Sequence, residues 1–462
     1  MTNAILLKIF EKSSNQIAFK KGRLLSDKNK LQPFKTGGLG NFPYFWEDPS
    51  SLAFNIKTFN WINANLKPNT FPYEQQLGST FTNVFIECLA NISFSLSSDD
   101  QNRLIKLSND IELLQLQIVK TWNSIYSQNN PNEYFTIDQI FDVILNQWAS
   151  PPVTFIQLQN STKPEDLLTN APIEANAIFP CLTDYLSLLR TSSKFINLVS
   201  LNAGMLEDAL NAVQEPSLVN GAMKTTDGLR PMYTFSPSVK EIESKLNDSS
   251  KKTTLELEVI KNENGISINV DNNENFKGPL DDVIDIIKEG NNFEDLLNIA
   301  QGKLKVTAIF NGLCNVYFQP KEFNKSKFWY WMEPILKSIE NKRTDHTGYH
   351  FFPTPNINFN DDGPFGHITG AMISKLPNFI IDLTVENLND VDAFLQTWNI
   401  VKVYFLNQII AEEYKVEQDT LQLMGKNTNA ISLTLTPSEK TTSERTAYVQ
   451  GVYVNYPANQ NN

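Results

Sequence analysis

Histidine, cysteine and basic charge are all scarce in this chain of 462 residues, and each scarcity removes a class of function. The three cysteines, Cys88, Cys181 and Cys314, are odd in number, far apart and without CxxC or Cys/His metal spacing. That pattern excludes a disulfide framework and a zinc module, and the three thiols read as core residues. The net charge of −12 and pI near 4.9 exclude a general nucleic-acid binder, which needs a cationic surface. No run of about 18 apolar residues occurs, so no transmembrane helix is expected. The opening MTNAILLKIFEKSS has a short apolar patch broken by Lys8, without a basic lead or a cleavage site. No Sec signal is read there, which leaves the cytoplasm or a signal-less export route. There is no GxSxG elbow, and GGLG at 37–40 lacks the GK[ST] ending of a phosphate loop. No cofactor is expected.

What the chain does have is apolar and amide-rich. Hydrophobic residues make up 41% and aromatics 11%, with 30 Phe, ample to fill cores. The length exceeds the roughly 250–300 residues at which a single core stops growing, so more than one domain is expected. Asparagine is abundant, which favours turns, caps and exposed hydrogen bonding. Charge is uneven: residues 1–35 hold eight Lys or Arg against Glu11 and Asp27. Such a basic arm could dock on an acidic neighbour, including another copy of the chain.

The pattern changes character at the polar stretch Ser244–Thr253. A mainly helical region, 1–245, with an irregular aromatic-rich opening, is expected before it, and a β-rich region, 254–462, after it. The fold class is therefore α+β, with a sandwich-like or open-barrel C-terminal region. Residues 83–96 alternate in part and suggest a strand. The clearest helix spans 99–126, with Ser98 and Gln101 as a capping box. Leu104, Ile111, Ile118 and Ile125 recur every seven residues, Leu107 and Leu114 lie between them, and Trp122 widens the stripe. Such a stripe wants a partner helix. Further helices are predicted at 137–148, 180–190 and 203–213. In the second half, 254–260 and 266–270 alternate around Asn264-Gly265, a hairpin signal. An acidic helix is predicted at about 280–288, strands at 304–310 and 315–318, a helix at 328–339, and strands at 400–406, 431–435 and 447–453.

Side chains able to do bond-making chemistry gather in one stretch. His346, His350 and His367 are the only histidines, and Asp345, Asp361 and Asp362 lie among them. Imidazole and carboxylate bind metals and move protons near neutral pH, so a hydrolase or metal-dependent enzyme would be centred on 345–367. His346 and His350 share one face of a helix or strand, but Gly348 and the following FFPTP oppose a helix, and no HExxH is present. The aromatics Trp46, Trp122, Trp329, Tyr330 and Trp331 are candidates for a binding surface. Segment 364–385, Gly-hinged and sparsely charged, is the candidate for membrane insertion, with Phe365, Ile368, Met372, Ile373, Phe379, Ile380 and Ile381 as its apolar residues.

Three functions follow. The first is a non-enzymatic protein that binds a partner or assembles with itself through aromatic- and amide-rich surfaces. The second is a membrane-active, pore-forming or toxin-like protein using 364–385 and helix 99–126. The third is the enzyme centred on the His/Asp stretch. The expected partner is a second copy or another protein, with a membrane as the alternative and no nucleic acid.

Overall fold

A computed structural model describes residues 1–16, 31–35, 42–44, 47–48, 53–68, 70–126, 135–263, 265–271, 274–288, 292–321, 329–341, 346–361, 363–396, 398–422, 429–440 and 445–459. The protein is α+β, with helices in the N-terminal half and a β-rich C-terminal region. It divides into two compact units. The larger comprises Met1–Ala90, Ala209–Met332 and Pro355–Asn462, and the smaller Asn91–Asp208 and Glu333–Thr354. The change of pattern expected near Ser244–Thr253 is where the largest sheet begins, at Lys252.

That sheet has nine antiparallel strands. In chain order they are β1 (Lys252–Asn262), β2 (Gly265–Val270), β3 (Glu274–Lys277), β4 (Ile284–Ile287), β5 (Lys303–Asn311), β6 (Asn378–Val385), β7 (Ile400–Phe405), β8 (Gln408–Gln422) and β9 (Asn429–Pro437). Across the sheet the order is β3-β2-β1-β5-β6-β9-β8-β7-β4. The two edge strands, β3 and β4, are consecutive in the chain, separated only by residues 278–283. Seven Cα steps reach at most about 25 Å. Nine strands laid flat would put the edges about 38 Å apart. The sheet therefore curls on itself into an open barrel.

Strict alternation fills its inside. Leu255, Leu257 and Val259 of β1, Val306, Ala308 and Phe310 of β5, and Leu433 and Leu435 of β9 are all fully buried. Their neighbours face outward as charged pairs, Lys303 with Glu258 at 2.9 Å and Lys305 with Glu256 at 3.0 Å. The expected hairpin is present: Asn262 pairs with Gly265 across a two-residue loop, and Gly265 has φ +104. The predicted acidic helix at 280–288 is instead a single 3-10 turn, Leu280–Asp282, followed by β4. The β-branched alternation Ile284, Asp285, Ile286 prevails over the acidic composition, and both isoleucines enter the barrel.

An eight-stranded sheet is built around two central strands, His367–Ser374 and Thr446–Asn455, buried along their full lengths apart from Thr446 and Asn455. The helix Thr2–Ser14 lies between this sheet and the barrel. Its Ile5, Leu6 and Ile9 join the barrel core. Its Phe10 rests on Gly451, where a Cβ would come within 2.8 Å of the ring. Lys12 reaches Asp271 at 2.7 Å, and Lys8 lies 3.8 Å from the same carboxylate. Part of the basic charge expected to meet a neighbour thus pairs within the chain.

Residues 83–96 are mainly the helix Phe81–Ala90, with a strand only at Ile92–Ser95. Phe81, Phe85, Cys88 and Leu89 are buried at helical spacing, a period that the partial alternation concealed.

The smaller unit is helical. Ser98–Tyr126 begins one residue earlier than expected: Ser97 Oγ accepts from the Asp100 N–H at 3.0 Å and its hydroxyl donates to the Asp100 carboxylate at 2.8 Å. The helices expected at 180–190 and 203–213 are one helix, Phe179–Gln214. The Ser/Thr-rich stretch between them stays helical, with Thr191 donating its hydroxyl to the Ser187 carbonyl one turn back. The helix predicted at 328–339 runs Glu333–Glu340, with Pro334 in its first turn, where no N–H is missed.

Candidate functional site

The His/Asp stretch does not form one centre. His346 and His350 belong to the smaller unit, while His367 and Asp361 belong to the larger. His346 is exposed at φ +52, and its ring sits 4.9 Å from that of His350. The Nδ1 of His350 lies 3.1 Å from the Gly348 carbonyl, and the residue is buried on the strand Gly348–Phe351 that pairs with Ile92–Ser95. Asp345 and Asp362 lie outside the described residues. Among the described residues no group of three or more His, Cys, Asp or Glu is arranged to hold a metal.

His367 is of another kind. It is 1% exposed, and its ring packs 4.6 Å from Phe81 and 6.0 Å from Tyr330. Its Nδ1 finds no hydrogen-bond partner among the described residues. Burial in this aromatic nest pushes its pKa down to about 3, so the imidazole is neutral at physiological pH. Burial also pushes the Cys88 thiol far above its ordinary value and Cys314 up to about 11, so neither supplies a thiolate near neutral pH.

Three of the five aromatic candidates, Trp122, Trp329 and Trp331, sit in cores. Trp122 is 3% exposed and stacks on Trp148 at 5.1 Å. Trp329 and Trp331 are buried, and the Trp329 indole donates to the Met232 carbonyl at 3.1 Å. Tyr330 stacks on Phe85 at 5.7 Å. Trp46 lies outside the described residues.

Segment 364–385 becomes two strands of different sheets. His367–Ser374 pairs with Cys314–Pro320 on one side and Thr446–Asn455 on the other. β6 pairs with β5 and β9. Phe365, Ile368, Met372, Ile373, Phe379 and Ile381 are buried and Ile380 is half-buried. Withdrawing the segment would break four strand pairings and empty the core positions of Phe365, Ile368, Met372, Ile373, Phe379 and Ile381 among others.

Two features went unread in the sequence. The first lies on the smaller unit. The heptad stripe of helix Ser98–Tyr126 is taken up inside that unit: Ile118, Val119 and Trp122 pack with Ile140, Phe141, Trp148, Leu182 and Leu186. On the opposite face Ile105, Leu113 and Leu116 are 60%, 64% and 56% exposed. At 100° per residue, Ile105 and Leu116 lie roughly 20° apart around the helix, with Leu113 about 60° beyond. Helix Phe179–Gln214 adds Ile196, Leu198 and Leu201, also exposed, the last two one turn apart. Arg103 of the first helix lies over the Phe195 ring of the second at 5.6 Å. Of the fourteen large apolar side chains exposed among the described residues, nine belong to the smaller unit. The signal was available: these residues are apolar yet lie off the heptad positions.

The second feature is a cavity of about 510 Å3 in the larger unit. Besides the stretch that holds the helix Val239–Leu246, three connections carry the chain between barrel and eight-stranded sheet, at Asn311–Cys314, at Ser374–Asn378 and from Pro437 to Thr446, where residues 441–444 lie outside the described residues. All contribute to the cavity lining, together with Tyr44 and the end of the helix Val239–Leu246.

No family model, curated protein or solved structure matches the chain.

Proposed function

We propose that the chain is a non-enzymatic protein that assembles with copies of itself through the long helices of the smaller unit. The concentration of exposed large apolar side chains on that unit carries this reading. Ile105, Leu113 and Leu116 on one helix and Leu198 and Leu201 on the other occupy solvent faces, while the unit already fills its own core with other residues. Scattered single apolar residues on a surface are ordinary; a group of them on neighbouring helices marks a contact site. Each fully covered Leu or Ile contributes about 1.5–3 kcal/mol, so a few of them on each side can hold a dimer. The state of the reactive groups agrees with a non-enzymatic role: His367 is neutral and enclosed, and the Cys88 and Cys314 thiols are held protonated.

Static light scattering on the full chain, with and without neutral and anionic liposomes, tests this. The expected result is a mass at or above twice 52.5 kDa at micromolar concentration without lipid. Combined Leu113→Glu and Leu116→Glu should return the chain to monomer with unchanged circular dichroism. A wild-type monomer at every concentration overturns the reading, whether or not the protein binds liposomes.

A further inference from the structure

We propose that the cavity at the junction of the barrel and the eight-stranded sheet binds a small acidic saccharide, a hydroxyl-rich carboxylate of one or two sugar rings. This site lies in the larger unit and stands independently of the assembly reading.

Its walls are built rather than incidental. The first connection turns at Gly312, φ +64, pressed so closely on the end of helix Val239–Leu246 that a Cβ would meet the Leu246 carbonyl at 1.9 Å. Gly312 N–H donates to the Lys251 carbonyl at 2.7 Å. The second connection is tied to the first, with the Lys375 N–H donating to the Asn311 carbonyl at 2.9 Å. The buried Tyr414 hydroxyl holds the same turn by donating to the Pro377 carbonyl at 2.8 Å. The third is anchored beside Tyr44, whose N–H donates to the Arg445 carbonyl at 3.2 Å. A ligand seated here would meet a frame already held in place, which lowers the ordering cost of binding.

The lining has the chemistry of a sugar site. Leu246 and Leu376, both buried, and Pro437 supply an apolar surface for the C–H face of a ring. Around them stand the amides of Asn247, Asn311 and Asn378 and the hydroxyls of Tyr44, Ser249, Thr436 and Thr446. Among the described residues none of these three amides bonds to another side chain. Each offers one acceptor and two donors, which matches a ligand whose hydroxyls both give and take hydrogen bonds. Lys375 is the one cation of the lining, exposed and without an ion pair among the described residues. Of the described carboxylates nearby, Glu243 lies 3.7 Å from Arg445, Glu413 pairs with Lys440 at 2.6 Å, and Asp248 accepts from the Ser250 N–H at 3.0 Å and its hydroxyl at 2.6 Å. An anion entering the cavity meets the Lys375 ammonium. The volume lies within the roughly 300–1,000 Å3 typical of small-molecule sites.

Saturation-transfer NMR and calorimetry on the full chain test the site, with glucuronate, glucose and inorganic phosphate as probes. Glucuronate should bind saturably, at least tenfold tighter than glucose, and phosphate should not displace it at equal concentration. Lys375→Met should weaken glucuronate about tenfold and leave glucose nearly unchanged. Asn311→Ala with Asn378→Ala should weaken both, with the thermal transition of the unliganded protein as the check on folding. Absence of saturable binding by either sugar, displacement by phosphate alone, or equal binding by wild type and both variants overturns the proposal.

Discussion

At the scale of single residues, His367 carries the sharpest consequence. Its imidazole is enclosed beside Phe81 and Tyr330 and held near pKa 3, whereas in the unfolded chain it titrates near 6.5. Below pH 6.5 the unfolded state takes up a proton that the folded state refuses. Stability from this group is therefore complete above 6.5 and declines as pH falls toward 3, by up to about 1.4 kcal/mol per pH unit. Replacing His367 by Phe should flatten the pH dependence of the unfolding midpoint between pH 4 and 6 by one proton's worth; identical slopes for both proteins would contradict this. Gly312 is the second such residue. Gly312→Ala places a Cβ against the Leu246 carbonyl in a left-handed conformation, and should cost about 3 kcal/mol in urea denaturation. At this scale the sequence showed which residues were chemically able, and it could not show which would meet. The histidines cluster in the chain, yet two lie in one unit and one in the other, because residues 333–354 and 355–462 belong to different units.

At the scale of elements, legibility followed the strength of the repeating pattern. β1, β2, β5 and β9 alternate without interruption and were readable as strands, since one face of each had to be apolar. Helix Ser98–Tyr126 was readable from its heptads. The misreadings came where composition and pattern disagreed: Ile284–Ile287 looked acidic and helical but needed only two inward isoleucines to become a barrel edge. Helix Phe179–Gln214 reads as two in the sequence because the apolar residues of its middle, Phe195 to Leu201, do not continue one buried stripe, though nothing there breaks a helix. The first helix, Thr2–Ser14, showed only a short apolar patch, but Ile5, Leu6 and Ile9 are part of the barrel core. Ile9→Ala should therefore destabilise the larger unit by about 3 kcal/mol, as a fully buried core truncation does, measured by denaturant unfolding followed by tryptophan fluorescence. A change under about 0.5 kcal/mol would mean that the helix is an ornament on the barrel rather than part of it.

At the scale of the whole molecule, the curled nine-stranded sheet follows from one short link between its two edge strands, and that link could be seen only once the strand order was known. The candidate surfaces were hidden for a related reason. An apolar residue in a sequence declares that it prefers burial, but not whether its own unit has already been filled. Trp122 and Trp329 have the composition of contact residues and lie in cores, while Leu113 and Leu116 belong to no motif and face solvent. The junction cavity draws on connections more than 120 residues apart, Asn311 to Thr446, and no local motif could announce it.

The exposed helical leucines and isoleucines, covered by a second copy of the chain, are what the proposed assembly rests on. Sedimentation velocity of wild type and the Leu113→Glu, Leu116→Glu variant, across a hundredfold concentration range, measures this most directly. The expected result is a concentration-dependent shift to a dimer or larger species for wild type, and a single 52.5 kDa species for the variant. Wild type sedimenting as that same single species throughout would contradict it.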